Sequence, residues 1–364
     1  MSHTQPPTPS PQFPALTVAD LGEHALIARI HARVPPAPDF VHVGIGDDAA
    51  VVGPERNCLE VITTDCLIEG VHFDRTLASA ADIGYKALAV NLSDLAAMAA
   101  TPRVALLSLA LPGTLPATDF EALLDGLLSL AKEVRLALVG GNIARSPGPL
   151  MIDLTAIGSV KPRRMLTRSG ARPGDALYVS GTLGASAAGL GSLRVRRTGR
   201  LDSDQGELRA GPAVAHAVPC EARHLRPQPR LRLGALLGRT RTASACIDLS
   251  DGLADGIRQI AQASGVGAIV DAESIPIDAG TRAWFDSQGQ APVDAALRGG
   301  EDYELLFTVP RRNRRRLEAV QRLVGDLPIT RVGHIMATRD VALRQNGQLA
   351  ALPAGFVHFG GAAW

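Results

Sequence analysis

Residues 87–100 limit what this chain can become more than any other stretch, because their only polar members are Asn91, Ser93 and Asp94. The helical pattern around them covers residues 79–99, and a helix apolar on nearly all sides is buried. A carboxylate carried into such a place is costly unless it is paired or bound to metal. Asn91 and Asp94 are three residues apart, hence neighbours on one helix face. A metal ion is the expected partner of Asp94, with an ion pair to Lys86 or an arginine as the alternative.

Strand and helix patterns mix along the rest of the chain. Apolar, partly β-branched runs predict strands at 41–45, 58–64, 104–111, 136–140, 150–158, 176–180, 244–249, 266–270, 303–309 and 328–335. Helices are predicted at 22–33, 118–134, 183–194, 231–238, 252–264 and 312–324, the second opened by a Thr118/Glu121 capping box. A turn-rich joint at 169–174 and a polar, proline-punctuated segment at 196–230 interrupt the pattern. The fold class is α/β with mixed sheets in two domains, residues 15–165 and 166–364, behind a proline-rich arm at 1–14.

Composition removes whole classes of function. The 364 residues carry 37 basic and 36 acidic side chains, so no global field draws the chain to nucleic acid or an anionic membrane. The basic run Arg311–Arg316 is expected to be the solvated start of an amphipathic helix. No apolar run approaches the ~20 residues of a membrane span, and the N-terminus does not have the pattern of a secretory signal. The 4 cysteines form no C-x-x-C pair, which suits a reduced cytoplasmic protein, and Cys66 is expected in the core. Only Lys86, Lys132 and Lys161 are lysines, and none sits in a G-x-x-x-x-G-K-[ST] setting, so a P-loop is excluded.

Acidic residues recur at strand ends and helix starts beside glycines or hydroxyls. Asp47 and Asp48 lie in GIGDDAA, Asp65 follows Thr63 and Thr64, and Asp248, Ser250 and Asp251 lie in IDLSDG. Glu301 and Asp302 follow Gly299-Gly300, while Gly140-Gly141-Asn142 stands at the end of a predicted strand, where backbone N–H groups can approach a phosphate. Each has a plain alternative: a polar turn, a strand end or an N-cap. Together they suit several Mg²⁺ ions and a polyphosphate held by oxygen ligands in place of lysines.

These residues resemble the thiamine-monophosphate kinase family, of the superfamily that includes aminoimidazole ribonucleotide synthetase. The resemblance rests on GIGDDAA (44–50), TTDCLIEGVHF (63–73), GYKALAVNLSDLAAMAATP (84–102), LTRSGARPGD (166–175), HLRPQPR (224–230), IDLSDGLADGI (247–257), GGEDYELLF (299–307) and GFVHF (355–359). It implies a two-domain synthetase-like kinase fold, a homodimer, and ATP-dependent phosphorylation of thiamine monophosphate to thiamine diphosphate. Carried over by motif, Asp48, Thr63, Thr64, Asp65, Asp94, Asp248 and Asp251 become Mg²⁺ ligands, with Asp94 and Asp251 central to catalysis. Gly140, Gly141, Arg168 and Ser250 become ATP contacts, and His72, Glu301 and Phe356 contacts to the thiamine substrate. The family's usual GGD reads Gly140-Gly141-Asn142, which leaves an amide at one metal position. A nucleotide-binding homologue with little or no turnover is the alternative this raises.

Overall fold

The computed structural model describes residues 15–201 and 212–354. The expected arm at 1–14 and Phe356 lie outside them. Helices α1 (Val18–Leu21) and α2 (Glu23–Arg33) lead to a small ribbon in which β1 (Val41–Val43) pairs antiparallel with β2 (Val51–Val52). There follow β3 (Leu59–Ile68), α3 (Ala80–Ala97), β4 (Thr101–Pro112), α4 (Ala117–Val134), β5 (Ala137–Ser146) and β6 (Met151–Val160). These strands form a four-stranded sheet of order β3-β6-β4-β5, with β4 and β5 parallel and the other pairs antiparallel.

The second half runs β7 (Ala176–Ser180), α5 (Ala185–Leu201), α6 (Pro212–Leu225), α7 (Leu231–Thr240), β8 (Ala245–Asp248), α8 (Leu253–Ser264) and β9 (Gly267–Asp271). It continues with α9 (Ala279–Ser287), α10 (Pro292–Arg298), β10 (Leu305–Val309), α11 (Arg314–Val324), β11 (Ile329–Met336), β12 (Val341–Gln345) and β13 (Gln348–Ala351). The strands make a seven-stranded mixed sheet of order β13-β12-β9-β11-β7-β10-β8. The mixed α/β class expected from the pattern is thus the architecture found.

Helix α3 is buried along almost its whole length, and one continuous core joins it to α4, to α7 and to Leu305 and Phe307 of the second sheet. Small residues permit this. A Cβ on Gly84 would lie 1.9 Å from the Leu123 carbonyl, one on Gly126 1.9 Å from that of Ala81, and one on Gly234 of α7 1.9 Å from that of Ala96. The three helices therefore touch backbone to backbone.

Several local expectations need correction. Helix α4 begins at Ala117 behind Pro116 with no side-chain cap, so Thr118 and Glu121 form no capping box; Glu121 pairs instead with Arg29 and Arg33 of α2. Strand β5 does not end at Gly140: its parallel pairing with β4 carries on to Ser146, so Gly140, Gly141 and Asn142 lie within an edge strand. Part of the supposed surface connection at 196–230 is α6, whose Cys220, Glu221 and His224 are buried. Cys66 is exposed on β3 rather than in the core.

Glycine-to-alanine exchange at position 84 sets two effects against each other. Alanine gains about 1 kcal/mol in helix propensity, but its methyl would meet a backbone carbonyl that no rotamer change can move. Overpacking costs of about 1–3 kcal/mol or more win. We expect Gly84→Ala to lower the thermal unfolding midpoint by several degrees, whereas Gly148→Ala, with open space around its Cβ, should stay within about 0.5 kcal/mol of the parent.

Candidate active site

Of the carboxylates expected to gather, Asp65, Asp94, Asp248 and Asp251 lie close together where α3 passes between the two sheets, and Asp48 does not join them. Alternation along β3 turns Thr63 and Asp65 inward, and the Thr63 hydroxyl donates to Asp94 Oδ2. From the next helical position the Ser93 hydroxyl donates to Asp248 Oδ2 at 2.7 Å. That bond ties α3 to the end of β8, where Asp248 is 5% exposed. Ser250 and Asp251 follow in the turn before α8, whose N-cap is Gly252 and not either of these residues.

Their electrostatics are those of like charges crowded together. Burial and then the neighbouring Asp94, Asp153 and Asp251 push the Asp65 carboxyl up to about 6. Burial raises Asp94 as well, opposed by the Thr63 hydroxyl and Arg168. Asp248 is raised by burial and by Asp94, against the Ser93 hydrogen bond. No ion pair among the described residues includes Asp65, Asp94, Asp153 or Asp248. Lys86, the alternative partner for Asp94, is engaged elsewhere. Nor do three acidic, histidine or cysteine side chains among the described residues stand as a finished metal cage. The donor set is all oxygen, mutually repelling and partly desolvated, which fits a hard divalent cation.

Other expected residues stand around this cluster. Thr64 faces the opposite side of β3 and donates to Asp153 Oδ1 at 3.0 Å. Asp48 lies on an exposed turn, its N–H bonded to Asp47, and the same loop passes β5 where Gly44 approaches the Val139 carbonyl. On β5 a Cβ at Gly141 would lie 1.8 Å from the Leu107 carbonyl, so the backbone there admits no side chain. Asn142 is exposed beside it. As an edge strand, β5 leaves backbone groups unpaired along one side, which keeps them available to an anionic ligand. Arg168 donates to Gln259 at 2.6 Å and reaches Asp94 and Asp248 electrostatically.

The GGEDYELL segment closes the other end of the cleft. Glu301 N–H donates to the Ser250 carbonyl at 2.6 Å and Tyr303 N–H to the Leu249 carbonyl at 3.0 Å. Glu301 and Tyr303 both take left-handed backbone conformations, φ 64° and 50°, which non-glycine residues hold only where surroundings enforce them. Glu301 Oε1 lies 2.6 Å from Lys86 Nζ and its Oε2 3.4 Å from His224 Nδ1. Burial alone would raise Glu301, yet the Lys86 ammonium holds it below the usual carboxylate range. Burial and Lys86 depress His224 to about 4, so it is neutral at pH 7, and its Nδ1 lies 2.9 Å from Ser186 Oγ. Asp302 caps α5 by accepting from Gly184 and Ser186 N–H, and Glu304, fully buried, pairs with Arg223 and Arg230.

A cavity of about 420 Å³ joins the two ends, lined among others by Asp65, His72, Lys86, Asp251 and Glu301. The structure thus brings His72 and Glu301 together, and joins them to Asp65, Ser250 and Asp251, while Thr64 and Asp48 stand outside. Sequence reasoning missed Asp153, His224 and the pairing of Lys86 with Glu301. Asp153 acts on Asp65 from the outer face of the sheet, opposite exposed Cys66 and beside Thr64, and His224 follows from packing of α6 on α5; neither leaves a local signal. Lys86 had one: a lysine inside an apolar helix.

Comparison with known proteins places the chain among relatives of this design. Residues 46–160 match the AIR synthase related protein N-terminal domain and residues 172–346 the corresponding C-terminal domain. The thiamine-monophosphate kinase of Salmonella typhimurium (strain LT2) is 45% identical over 87% of this chain and 91% of its own length. The crystal structure of thiamine-monophosphate kinase from Stenotrophomonas maltophilia K279a is 40% identical, with a TM-score of 0.73 over 90% of this chain and 96% of that one. A structure of AaThiL complexed with AMPPCP and TMP is 32% identical, with a TM-score of 0.70 over 94% and 99% of the two chains.

The repulsion at the carboxylate end makes a prediction about the metal-free protein. An acid whose folded pKa is raised weakens the fold above that pKa, and the weakness fades as pH falls towards the unfolded value. In chelator at pH 7.5, Asp65→Asn should therefore raise the unfolding midpoint, by the equivalent of about 1–3 kcal/mol. Melting curves of variant and parent should converge as pH falls from about 6 towards 4.

Proposed function

The chain belongs to the thiamine-monophosphate kinase family within the AIR synthase-related proteins, and from that premise we propose that it transfers the γ-phosphoryl group of ATP to thiamine monophosphate, giving thiamine diphosphate. One observation carries the reading: a single cavity with Asp65, raised by burial and by its acidic neighbours, at one end and the Lys86–Glu301 pair beside His72 at the other. The first end suits metal-assisted phosphoryl transfer, and the second suits selection of an acceptor. The relative complexed with AMPPCP and TMP supports both substrates.

The acceptor is itself a phosphate monoester with a second pKa near ~6, largely dianionic at pH 7. No general base is needed to create the nucleophile. The obstacle is the approach of two anions, and bound Mg²⁺ would supply charge neutralisation and in-line alignment. Asp65, Asp94, Asp248 and Asp251, with the Thr63 hydroxyl, would hold the metal, and Asp48, Thr64 and Asn142 belong to the same proposed set. Thr63 and Ser93 fix the carboxylates of Asp94 and Asp248 by donating to them. Gly140 and Gly141 would offer backbone to the nucleotide phosphates, and Arg168 and Ser250 are the further proposed ATP contacts. Glu301 and His72 orient the thiamine portion, with Phe356 as a further contact.

An amide at position 142 motivates a second reading, a homologue that binds nucleotide with weakened turnover. It lacks one negative charge that the family's aspartate would place near the triphosphate. A homodimer is also part of the proposal: β3 is a ten-residue sheet edge carrying Ile62 at 66% exposure, an edge that invites pairing with another chain. The free cysteines fit a reduced cytoplasmic setting.

The test is formation of thiamine diphosphate by purified protein supplied with ATP, thiamine monophosphate and a Mg²⁺ titration. Metal-dependent product is expected; nucleotide binding without product at any Mg²⁺ concentration would establish the second reading instead. Asp94→Ala should cut turnover by at least about a hundredfold, and near-normal turnover of a folded, metal-saturated variant would remove Asp94 from the mechanism. Asn142→Asp should lower the Mg²⁺ concentration needed for half-maximal rate; an unchanged midpoint would show that the amide is no handicap.

A further inference from the structure

A second cavity, also of about 420 Å³, lies away from the carboxylates, between the connecting segment after β6, the end of α3, and one face of α7. Its lining is of opposite character. Lys161 and Arg164 come from the connecting segment, and Arg232 and Arg239 from α7, where a spacing of seven residues puts them two turns apart on one face. Ala235 and Leu236 lie between them on that face, and Ala99, Val160 and Leu323 complete an apolar wall. Glu55 is the only acidic lining residue, and its carboxylate already accepts the Ser159 hydroxyl.

The four cations are exposed, and Glu55 is the one acid in the lining they share. None takes part in an ion pair among the described residues. Elsewhere arginines lean on carboxylates: Arg223 and Arg230 on Glu304, Arg103 on Glu60, Arg344 on Asp271. The C-terminal end of α3 also borders the cavity, but its partial charge of about −0.5 is small against four full cations and one carboxylate. The opposite face of α7 is fixed, since Gly234 packs on the Ala96 carbonyl, so its arginines are presented on a rigid element. A volume within the ~300–1,000 Å³ of small-molecule sites distinguishes this from a convex basic surface.

We propose that this cavity binds a diphosphate group, the excess of cations matching more charge than the roughly −1.5 to −2 of one phosphate monoester. The ligand is either inorganic pyrophosphate or an organic diphosphate whose apolar portion lies on the Leu236–Val160 wall. The site needs no divalent metal, unlike the acidic cleft, which repels anions when metal is absent. This separates the two sites experimentally, and the proposal does not depend on the kinase reading.

The test is calorimetric titration of the full chain, in chelator at fixed ionic strength, with inorganic pyrophosphate and separately with phenyl diphosphate. Saturable binding to one site is expected, and Arg232→Glu/Arg239→Glu should weaken it by at least about tenfold, because each lost charge-assisted contact alone can account for such a factor. The same variant should keep the parent's unfolding midpoint and its turnover under saturating Mg²⁺. Tighter binding of phenyl diphosphate than of pyrophosphate assigns an organic ligand, and equal affinity assigns the inorganic one. If charge reversal lowers the midpoint, Lys161→Gln/Arg164→Gln, placed off the helix, carries the same comparison. Absence of saturable binding to the parent, or equal affinity in parent and variant, overturns the proposal.

Discussion

Helix α3 brings its polar residues to the centre of the molecule because glycines let its neighbours reach its backbone. Gly84, Gly126 and Gly234 remove the side chains that would hold α4 and α7 away, leaving Asp94 and Ser93 to meet strands from both halves. The Ser93–Asp248 bond is buried, where an unmade partner would cost about 1–3 kcal/mol. Assembly of the cleft and cohesion of the two halves therefore depend on one element. A change that moved α3 by a fraction of an ångström would disturb the carboxylates and the core together.

The two ends of the cleft handle buried charge differently. At the Glu301 end the carboxylate has an ammonium beside it, and His224 is kept neutral by burial, so that wall is balanced without a ligand. At the Asp65 end burial and like charge act in the same direction. That end carries unresolved repulsion, which a bound cation would relieve.

Much of the fold was legible because burial follows periodicity. The apolar helix, the four strands of the first sheet, five of the seven in the second and the acidic turn at 247–251 could be placed from pattern alone, whereas the β12–β13 hairpin was missed. The errors share a cause: pairing partners distant in sequence. Gly140-Gly141-Asn142 read as a strand end because glycine usually interrupts a strand, but ladder bonds to β4 and close approach to Leu107 carry the strand through. The polar segment at 196–230 concealed α6, since His224, Arg223 and Arg230 become interior only when Glu301 and Glu304 are there to meet them. Site residues were legible where several acids share a motif, and illegible where, as with His224, a lone residue enters through helix packing.

Strand register also bears on the amide at position 142. Asn142 is opposite Ser108 in the β4–β5 ladder, two residues beyond Gly140, at an exposed edge. Asp65, Asp94 and Asp248 are by contrast partly or fully buried, where each further negative charge raises the others. Loss of one charge from the exposed edge weakens the pull on a cation in a medium of high dielectric, where a pair of charges 4 Å apart is worth about 1 kcal/mol. Loss of one from the buried cluster would act at low dielectric and remove a carboxylate whose geometry Thr63 or Ser93 has already fixed. In the proposed reaction the buried aspartates would therefore bear more of the work of gathering metal and phosphate than position 142, and a neutral residue would be most tolerable at the edge.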